Sequence, residues 1–375
     1  MTPQTSTGDR AGAPREADVV VIGAGQAGLA VGYHLRRTGL SFMLLDNQEG
    51  PGGAWRHGWN SLRLFSPARF SSLPGVLMEG GPDYYPTRDE TVAYLAAYEA
   101  RYDLPVERPV HVLAVEREDD SPDGCLVVRT DQGAWRARAV VSTTGSWARP
   151  FVPDVPGRDA FAGEQVHSSA YRSPEPYRGR RVLVVGGGNS GAQVLAEVSA
   201  VAGHAAWATL TTPTFLPDDV DGRVLFDAAT DAYRARQEGR PAPPPRSLGD
   251  VVAVAPVREA RDRGALVSRG PLAALDRDGA VWADGGREPF DAVIWCTGFR
   301  PSLGHLGPLG VVEADGRVRV EGTRSVIEPR LWLVGYGEWT GFASATLIGV
   351  GRSARATADE VAELLRGDGP GRGNP

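Results

Sequence analysis

Two glycine-rich hexapeptides carry the clearest chemical signal in the chain: Gly23-Ala24-Gly25-Gln26-Ala27-Gly28 and Gly186-Gly187-Gly188-Asn189-Ser190-Gly191. In a G-x-G-x-x-G turn the first glycine permits a tight bend and the second lets the main chain approach a diphosphate. The third allows the following helix to lie close on the preceding strand. Amides at the helix start then face the phosphates along a favourable dipole. Gly23, Gly25, Gln26 and Gly28 are therefore candidate contacts for one dinucleotide. Gly186, Gly188, Asn189, Ser190 and Gly191 are candidates for another, with Asn189 and Ser190 adding side-chain donors at the helix start. Asp46 lies 18 residues beyond Gly28, where a carboxylate can accept hydrogen bonds from ribose hydroxyls. Thr209, Leu210, Thr211 and Thr212 hold that place in the second copy. Without a carboxylate to repel a 2′-phosphate, NADPH is permitted there and NADH remains possible. Arg223 or a loop residue is the available cation.

Such turns work only between a strand and a helix. Residues 18–22 form an apolar, β-branched run, residues 29–37 follow a helical pattern, and 41–45 read as a second strand ending at Asp46. The same order returns as a strand at 181–185, a helix at 192–202 and a strand at 205–210. Between the repeats the reading is a helix at 88–102, then strands at 110–116, 125–130 and 134–143. Residues 211–256 read as irregular, and the proline run at 241–245 as a surface loop or a cover over a site. Strands at 281–283, 292–295 and 331–334 and a helix at 343–365 complete the pattern. A fold of class α/β with two Rossmann-like dinucleotide-binding domains follows.

The totals narrow the class. A length of 375 residues suits about two domains. A net charge of −6 argues against nucleic acid or an anionic membrane surface as partner. All 40 basic residues other than His are Arg, a coding bias without functional weight. Cys125 and Cys296 are the only cysteines, so no C-x-x-C dithiol, zinc site or disulfide framework is available. A reducing, cytoplasmic location fits that usage. No apolar run reaches the roughly 18 residues of a membrane helix, and residues 1–16 and 367–375 read as flexible tails.

Phe161-Ala162-Gly163-Glu164-Gln165-Val166-His167-Ser168-Ser169-Ala170-Tyr171 resembles the F-x-G-x-x-x-H-x-x-x-(Y/F/W) fingerprint of flavin-containing and Baeyer–Villiger monooxygenases. It stands just before the second glycine turn, as in that superfamily. Gly52-Gly53-Ala54-Trp55 resembles the G-G-x-W found near the flavin. Thr144-Gly145 and Cys296-Thr297-Gly298-Phe299 look like the two A-T-G linkers, and Tyr85-Pro86-Thr87-Arg88 is similar to an F-P-T-R helix entry. The likeness spans about residues 18–362. Within the superfamily, Arg63-Leu64-Phe65-Ser66-Pro67 and the stretch from Phe215 to Arg223 look most like flavoproteins found beside arsenic-resistance genes.

The resemblance implies FAD in the first fold and NADPH in the second. It adds Gly53, Trp55, Gly145, Thr297, Gly298 and Gly335 to the cofactor contacts. The implied FAD domain comprises 17–155 and 280–366, with the nicotinamide domain inserted as 156–279. The implied chemistry begins with reduction of FAD by NADPH. O2 then forms a flavin C4a-hydroperoxide, from which one oxygen atom passes to a small soft nucleophile (nitrogen, sulfur or arsenic) or a carbonyl. The alternative is a reductase that passes electrons to a quinone, metal species or carrier without inserting oxygen. A sensor that uses the fold only for binding is a third reading.

Two departures from the family pattern bear on the oxygenating step. The Asn beside the flavin has no evident counterpart, and Phe65-Ser66-Pro67 stands nearest to it. Gly335-Tyr336-Gly337-Glu338 replaces the C-terminal G-D. Arg63, Ser66 and His167 are the candidates for contact with the reacting groups. His167 can equally cap the link before the second fold, and Arg63 and Arg69 can meet an anion or stay solvated. Trp55 and Trp59 suit either flavin stacking or core packing. His34, His57 and His111 lack the spacing of metal ligands and read as ordinary.

Overall fold

The computed structural model describes residues 13–119, 121, 124–218, 240 and 250–367. Arg223, the proline run at 241–245 and the outer parts of both expected tails lie outside the described residues. From the N-terminus come β1 (Arg15–Ile22), α1 (Gln26–Leu35), β2 (Phe42–Leu45), α2 (Arg88–Arg101), β3 (Val106–Glu107), β4 (Val112–Arg117), β5 (Leu126–Thr130) and β6 (Gly133–Ser142). The middle supplies β7 (Glu164–His167), β8 (Arg181–Val185), α3 (Asn189–Val198), β9 (His204–Ala208), α4 (Ala255–Asp262), β10 (Ser268–Gly270), β11 (Leu272–Leu275), β12 (Gly279–Trp282), β13 (Arg287–Pro289) and β14 (Ala292–Trp295). β15 (Val320–Glu321), β16 (Arg324–Ser325), β17 (Leu331–Leu333) and α5 (Leu347–Gly367) follow.

The first sheet runs β15-β16-β17-β6-β1-β2-β3, and β4 and β5 extend it as an antiparallel meander into β6. β1 lies between β2 and β6, parallel to both. Its Val19, Val20 and Val21 are fully buried, as expected of an inner parallel strand covered on both faces. α1, α2 and α5 pack on one face, and the segment around Leu303–Leu309 packs on the other. α2 begins with a capping box: the Glu90 N–H donates to Thr87 Oγ1 at 3.2 Å, and the Thr87 N–H donates to Glu90 Oε2 at 2.8 Å.

The second sheet is parallel throughout and runs β10-β9-β8-β14-β7. A three-stranded antiparallel sheet, β11-β12-β13, packs against it through Leu275, Trp282, Val293 and Trp295. Sheet membership differs from the expected division at 279/280. β12 and β13 join the antiparallel sheet, and β14 pairs with β8 and β7, so the chain returns to the first sheet only after Trp295. The run Ala292–Trp295 is buried throughout. Its apolar character marks an inner strand but says nothing about which sheet receives it. The N-terminal edge also differs from a tail ending at residue 16, because Arg15 and Glu16 pair with Trp135 and Arg136 on β6.

Both glycine turns depend on one close contact. A Cβ added at Gly28 would overlap the Gly23 carbonyl oxygen, and one at Gly191 would overlap that of Gly186. Neither carbonyl can retreat without moving its strand end. Gly28→Ala is therefore expected to lower the unfolding free energy by about 1–3 kcal/mol, read from urea denaturation beside the parent protein.

Candidate functional site

The C-terminal ends of β1, β2 and β6 open into a cavity of about 640 Å³. Gly23, Gly25, Gln26, Asp46, Gly53, Trp55, Gly145 and Gly335 all stand on its wall, whereas Gly28 sits behind it against Gly23. Gly25 is the N-cap of α1, extended at φ −76° and ψ −168°, and it brings no side chain to the first amides. Those amides have no partner inside the helix. Gln26 ties three segments together: its Oε1 accepts from Trp55 Nε1 at 2.9 Å, and its Nε2 donates to the Ala345 carbonyl at 2.7 Å.

Asp46 ends β2 and is buried. Arg108 donates to Asp46 Oδ2 at 3.3 Å and is itself held by Glu99 through bonds of 2.6 and 2.9 Å. Burial raises the Asp46 carboxyl above its ordinary range, against the opposing pull of Arg108 and of main-chain N–H groups at Gln48 and Ala24. An ionised carboxylate here therefore gains from further donors such as sugar hydroxyls.

Several wall residues carry no distinguishing mark in the sequence. His57 and His111, ordinary by their spacing, both line the cavity. His57 Nε2 lies 2.6 Å from Gln48 Oε1, and burial together with Arg56 and Arg172 holds the ring below its usual pKa. Its ring stacks on Trp147 at 6.0 Å, Trp147 stacks on Phe299 at 5.0 Å, and the edge of Phe299 meets His167 at 5.0 Å. An aromatic row thus crosses from the cavity to the second sheet. Trp147 and Phe299 each follow a Thr-Gly pair closely, which is the signal that could have found them.

A polar network closes the cavity behind β6. The Tyr336 hydroxyl meets Ser142 Oγ at 2.6 Å and Thr144 Oγ1 at 2.8 Å, and it accepts from the Thr144 N–H at 3.1 Å. Ser142 Oγ reaches His305 Nε2 at 3.1 Å. His305 is buried on the cavity wall.

The second glycine turn sits apart from this cavity. Gly188 is the N-cap of α3, extended at φ −90° and ψ −174°, and a Cβ there would meet nothing within 4 Å. Asn189 does not offer its side chain outward as expected. Its Oδ1 accepts from the Val252 N–H at 2.8 Å and its Nδ2 donates to the Asp250 carbonyl at 3.1 Å, which holds that segment against α3. Ser190 starts the helix beside it. Beyond β9, Thr209 is buried against Ser268, whereas Leu210 is 87% exposed.

Two linkers join the sheets and pair with each other. Phe151 N–H donates to Gly298 O at 2.9 Å, Arg300 N–H to Arg149 O at 2.8 Å, and Ser302 N–H to Gly145 O at 2.8 Å. The Thr297 hydroxyl donates to the Phe151 carbonyl. Thr297 and Gly298 thus build the linker and do not line the cavity. His167 Nδ1 accepts from the Ser169 N–H at 3.1 Å, which assigns the ring proton to Nε2 and lets it donate to Gly298 O at 3.0 Å. Burial lowers its pKa, so the neutral ring fastens β7 to the linker.

Arg63 and Ser66 also lie off the wall. Arg63 donates to the Tyr85 carbonyl at 2.9 Å, Arg69 is exposed, and the buried Ser66 hydroxyl faces Ser71 Oγ at 2.8 Å. The structure therefore gathers none of Arg63, Ser66 and His167 at the cavity. Their loops have no periodicity, so sequence position carried no information on side-chain direction.

Residues 20–215 match the profile of the pyridine nucleotide-disulphide oxidoreductases. A flavin-containing monooxygenase from Stenotrophomonas maltophilia is 48% identical, covering 94% of this chain and 99% of that one, with a TM-score of 0.85. Indole-3-pyruvate monooxygenase YUCCA1 of Oryza sativa subsp. japonica is 31% identical over 76% of this chain and 77% of its own length. The chain belongs to the flavin monooxygenase family. A CzcO-like oxidoreductase of Geobacillus kaustophilus is 40% identical over 182 residues. That match takes in 48% of this chain and about half, 51%, of the relative's length.

For a flavin monooxygenase the cavity fits its cofactor class. The uncapped α1 amides suit a diphosphate, Asp46 suits a ribose, and Trp55, His57, Trp147 and Phe299 offer flat aromatic wall. Cys296 is buried with its thiol pushed up to about 12, which suits packing and not dithiol exchange. Among the described residues no helix is long and apolar enough to cross a membrane.

Burial pushes the His305 imidazole down from the ordinary 6.5 to about 4. Its contribution to stability is thus intact above pH 6.5 and is lost as pH falls towards 4. On acidification from about pH 7 to about pH 4, His305→Asn should lose about 3 kcal/mol less unfolding free energy than the parent, measured by urea denaturation.

Proposed function

We propose that the chain is an FAD-dependent NAD(P)H monooxygenase acting on a small molecule. The observation that supports this most directly is the pair of uncapped helix starts, Gly25 and Gly188, on two sheets joined by a paired linker. FAD would take the α1 site, with Asp46 on its ribose and the aromatic row beside its ring system. NADPH would take the α3 site, where the open segment after Thr209 holds no carboxylate at residues 210–212. Bound flavin supplies the capacity to accept two electrons from the nicotinamide and to activate O2 for transfer of one oxygen atom.

The chain's own residues bind, orient and exclude water. Gln26 and Trp55 hold the turn at Gly53 against the start of α1. Tyr336, standing where the family carries an acid, spends its hydroxyl on Ser142 and Thr144, so it fixes the linker instead of offering a charge. His305 stays neutral at physiological pH and adds no proton to the wall. The aromatic part of the cavity wall suits a small soft nucleophile or carbonyl compound. The rice relative, an indole-3-pyruvate monooxygenase, acts on a compound of the second kind.

The test is NADPH oxidation under ¹⁸O₂ with a panel of thiols, amines, ketones and arsenite. Incorporation of one labelled atom per NADPH into product is expected. NADPH oxidation with no label in any product would replace this reading with electron transfer to a carrier. Gly25→Leu and Gly188→Leu separate the two sites, since a Cβ at either meets nothing closer than the Gly53 Cα at 3.7 Å. The first should purify without flavin absorbance. The second should keep flavin and need about 100-fold more NADPH for the same reduction rate.

A further inference from the structure

We infer that residues 59–62 form a strap that sets the position of the nicotinamide unit relative to the flavin cavity, with Trp59, Tyr171 and Glu197 as its positioning residues. The inference rests on the proposed hydride transfer between two cofactors. The strap leaves the first unit immediately after the Gly53–His57 turn that lines the cavity. Trp59 is 7% exposed, yet its neighbours are not those of the first sheet. It belongs to the core that covers the second sheet, where its ring meets the edge of Tyr171 at 6.4 Å, and Leu62 packs against the same cluster.

Polar contacts fasten both ends. The Asn60 N–H donates to the Arg172 carbonyl at 2.9 Å. Ser61 Oγ donates to one oxygen of Glu197, and Tyr171 donates its hydroxyl to the other at 3.0 Å. Glu197 lies in the last turn of α3, the helix whose first turn begins at Gly188. At the base, Arg88 donates to Gly58 O at 2.8 Å and to Asn60 Oδ1 at 3.3 Å, and its N–H donates to Leu62 O at 2.9 Å. The strap therefore runs from the wall of one site to the helix that carries the other.

Its mechanical value follows from the linkers. They pair with each other as a single ribbon, and one ribbon leaves rotation about its own axis unopposed. A second attachment removes that freedom. The segment from Glu164 to Tyr171 serves both attachments, since His167 holds Gly298 of the ribbon and Tyr171 holds the strap. The proposed reaction would move a hydride, one proton with two electrons, from the dihydronicotinamide to the flavin. The first is left oxidised and the second reduced. Such transfers need reacting atoms about 3–3.5 Å apart, and a misplacement of about 1 Å costs on the order of 100-fold.

The test uses the full chain in two measurements. Spin labels at Arg129→Cys and Arg178→Cys, both exposed while the native cysteines are buried, report the distance between the units by pulsed electron resonance. Trp59→Ala should broaden that distribution, and Trp59→Phe should keep it narrow. Anaerobic reduction by NADPH should show a limiting rate at least about 10-fold lower in Trp59→Ala. Flavin content and NADPH affinity should stay within about 2-fold, and Trp59→Phe should recover the rate. Should Trp59→Ala fail to fold, the Ser61→Ala, Glu197→Gln double variant takes its place with the same expected split. A narrow distribution with an unchanged limiting rate in either would overturn the strap. If the parent itself is not reduced by NADPH, the proposed function fails, while the distance measurement still decides the strap.

Discussion

A helix that is to receive a diphosphate, as proposed for α1 and α3, cannot also satisfy its own first amides, and both helix starts are built without a side-chain cap. Gly25 and Gly188 occupy the cap positions where Ser, Thr, Asp or Asn would normally supply an oxygen. The orphan N–H groups stay free at some cost to the isolated helix. That cost is tolerable because the helices are held by packing. Gly28 and Gly191 let α1 and α3 sit directly on the carbonyls of Gly23 and Gly186, and the buried faces of both helices complete the cores beside their sheets. Stability is drawn from the strand–helix contact, which leaves the helix start available for the proposed ligand.

The same division recurs around the cavity. Side chains with evident chemical capacity are mostly committed to architecture. His167 fixes a linker, Tyr336 fixes the end of β6 to that linker, and Arg108 steadies Asp46. These commitments satisfy the buried Asp46 and Ser142 and the partly buried His167 and Tyr336, which avoids the penalty of an unpaired polar atom. Alongside Asp46, Arg149 and several polar side chains, the cavity is faced by main chain, flat aromatic surface and the neutral imidazole of His305.

Much of this frame is legible without the structure. The strands at 181–185 and 292–295 match the observed bounds, and the helix expected at 88–102 ends one residue earlier, because apolar runs and a capping box are local signals. Asp46, Gly23 and Gly25 fall on the cavity wall because strand, turn and acid are linked by fixed geometry. The losses have one physical origin. Glu164–His167 pairs beside β14 although its residues alternate weakly, and Ala292–Trp295 joins the second sheet and not the first, since pairing partners distant in sequence decide both. Arg63 and Ser66 point elsewhere for a related reason. Their loop follows no period, so neighbours such as Tyr85 and Ser71 fix their direction.

This bears on how catalytic residues should be sought in enzymes whose cofactor performs the bond-making. Conspicuous polar side chains in such a chain are more informative about how sites are held than about what reacts, because reactivity enters with the ligand. His167 illustrates the point. The Ser169 N–H sets its tautomer, burial lowers its pKa and its Nε2 joins β7 to Gly298, and no property is left over that requires contact with substrate. The residues that discriminate among substrates should then be those whose surfaces bound the open volume, such as Trp55, His57, Trp147 and Phe299. Their contribution to the proposed reaction would be shape, with His57, Trp147 and Phe299 held by their stacking in the aromatic row.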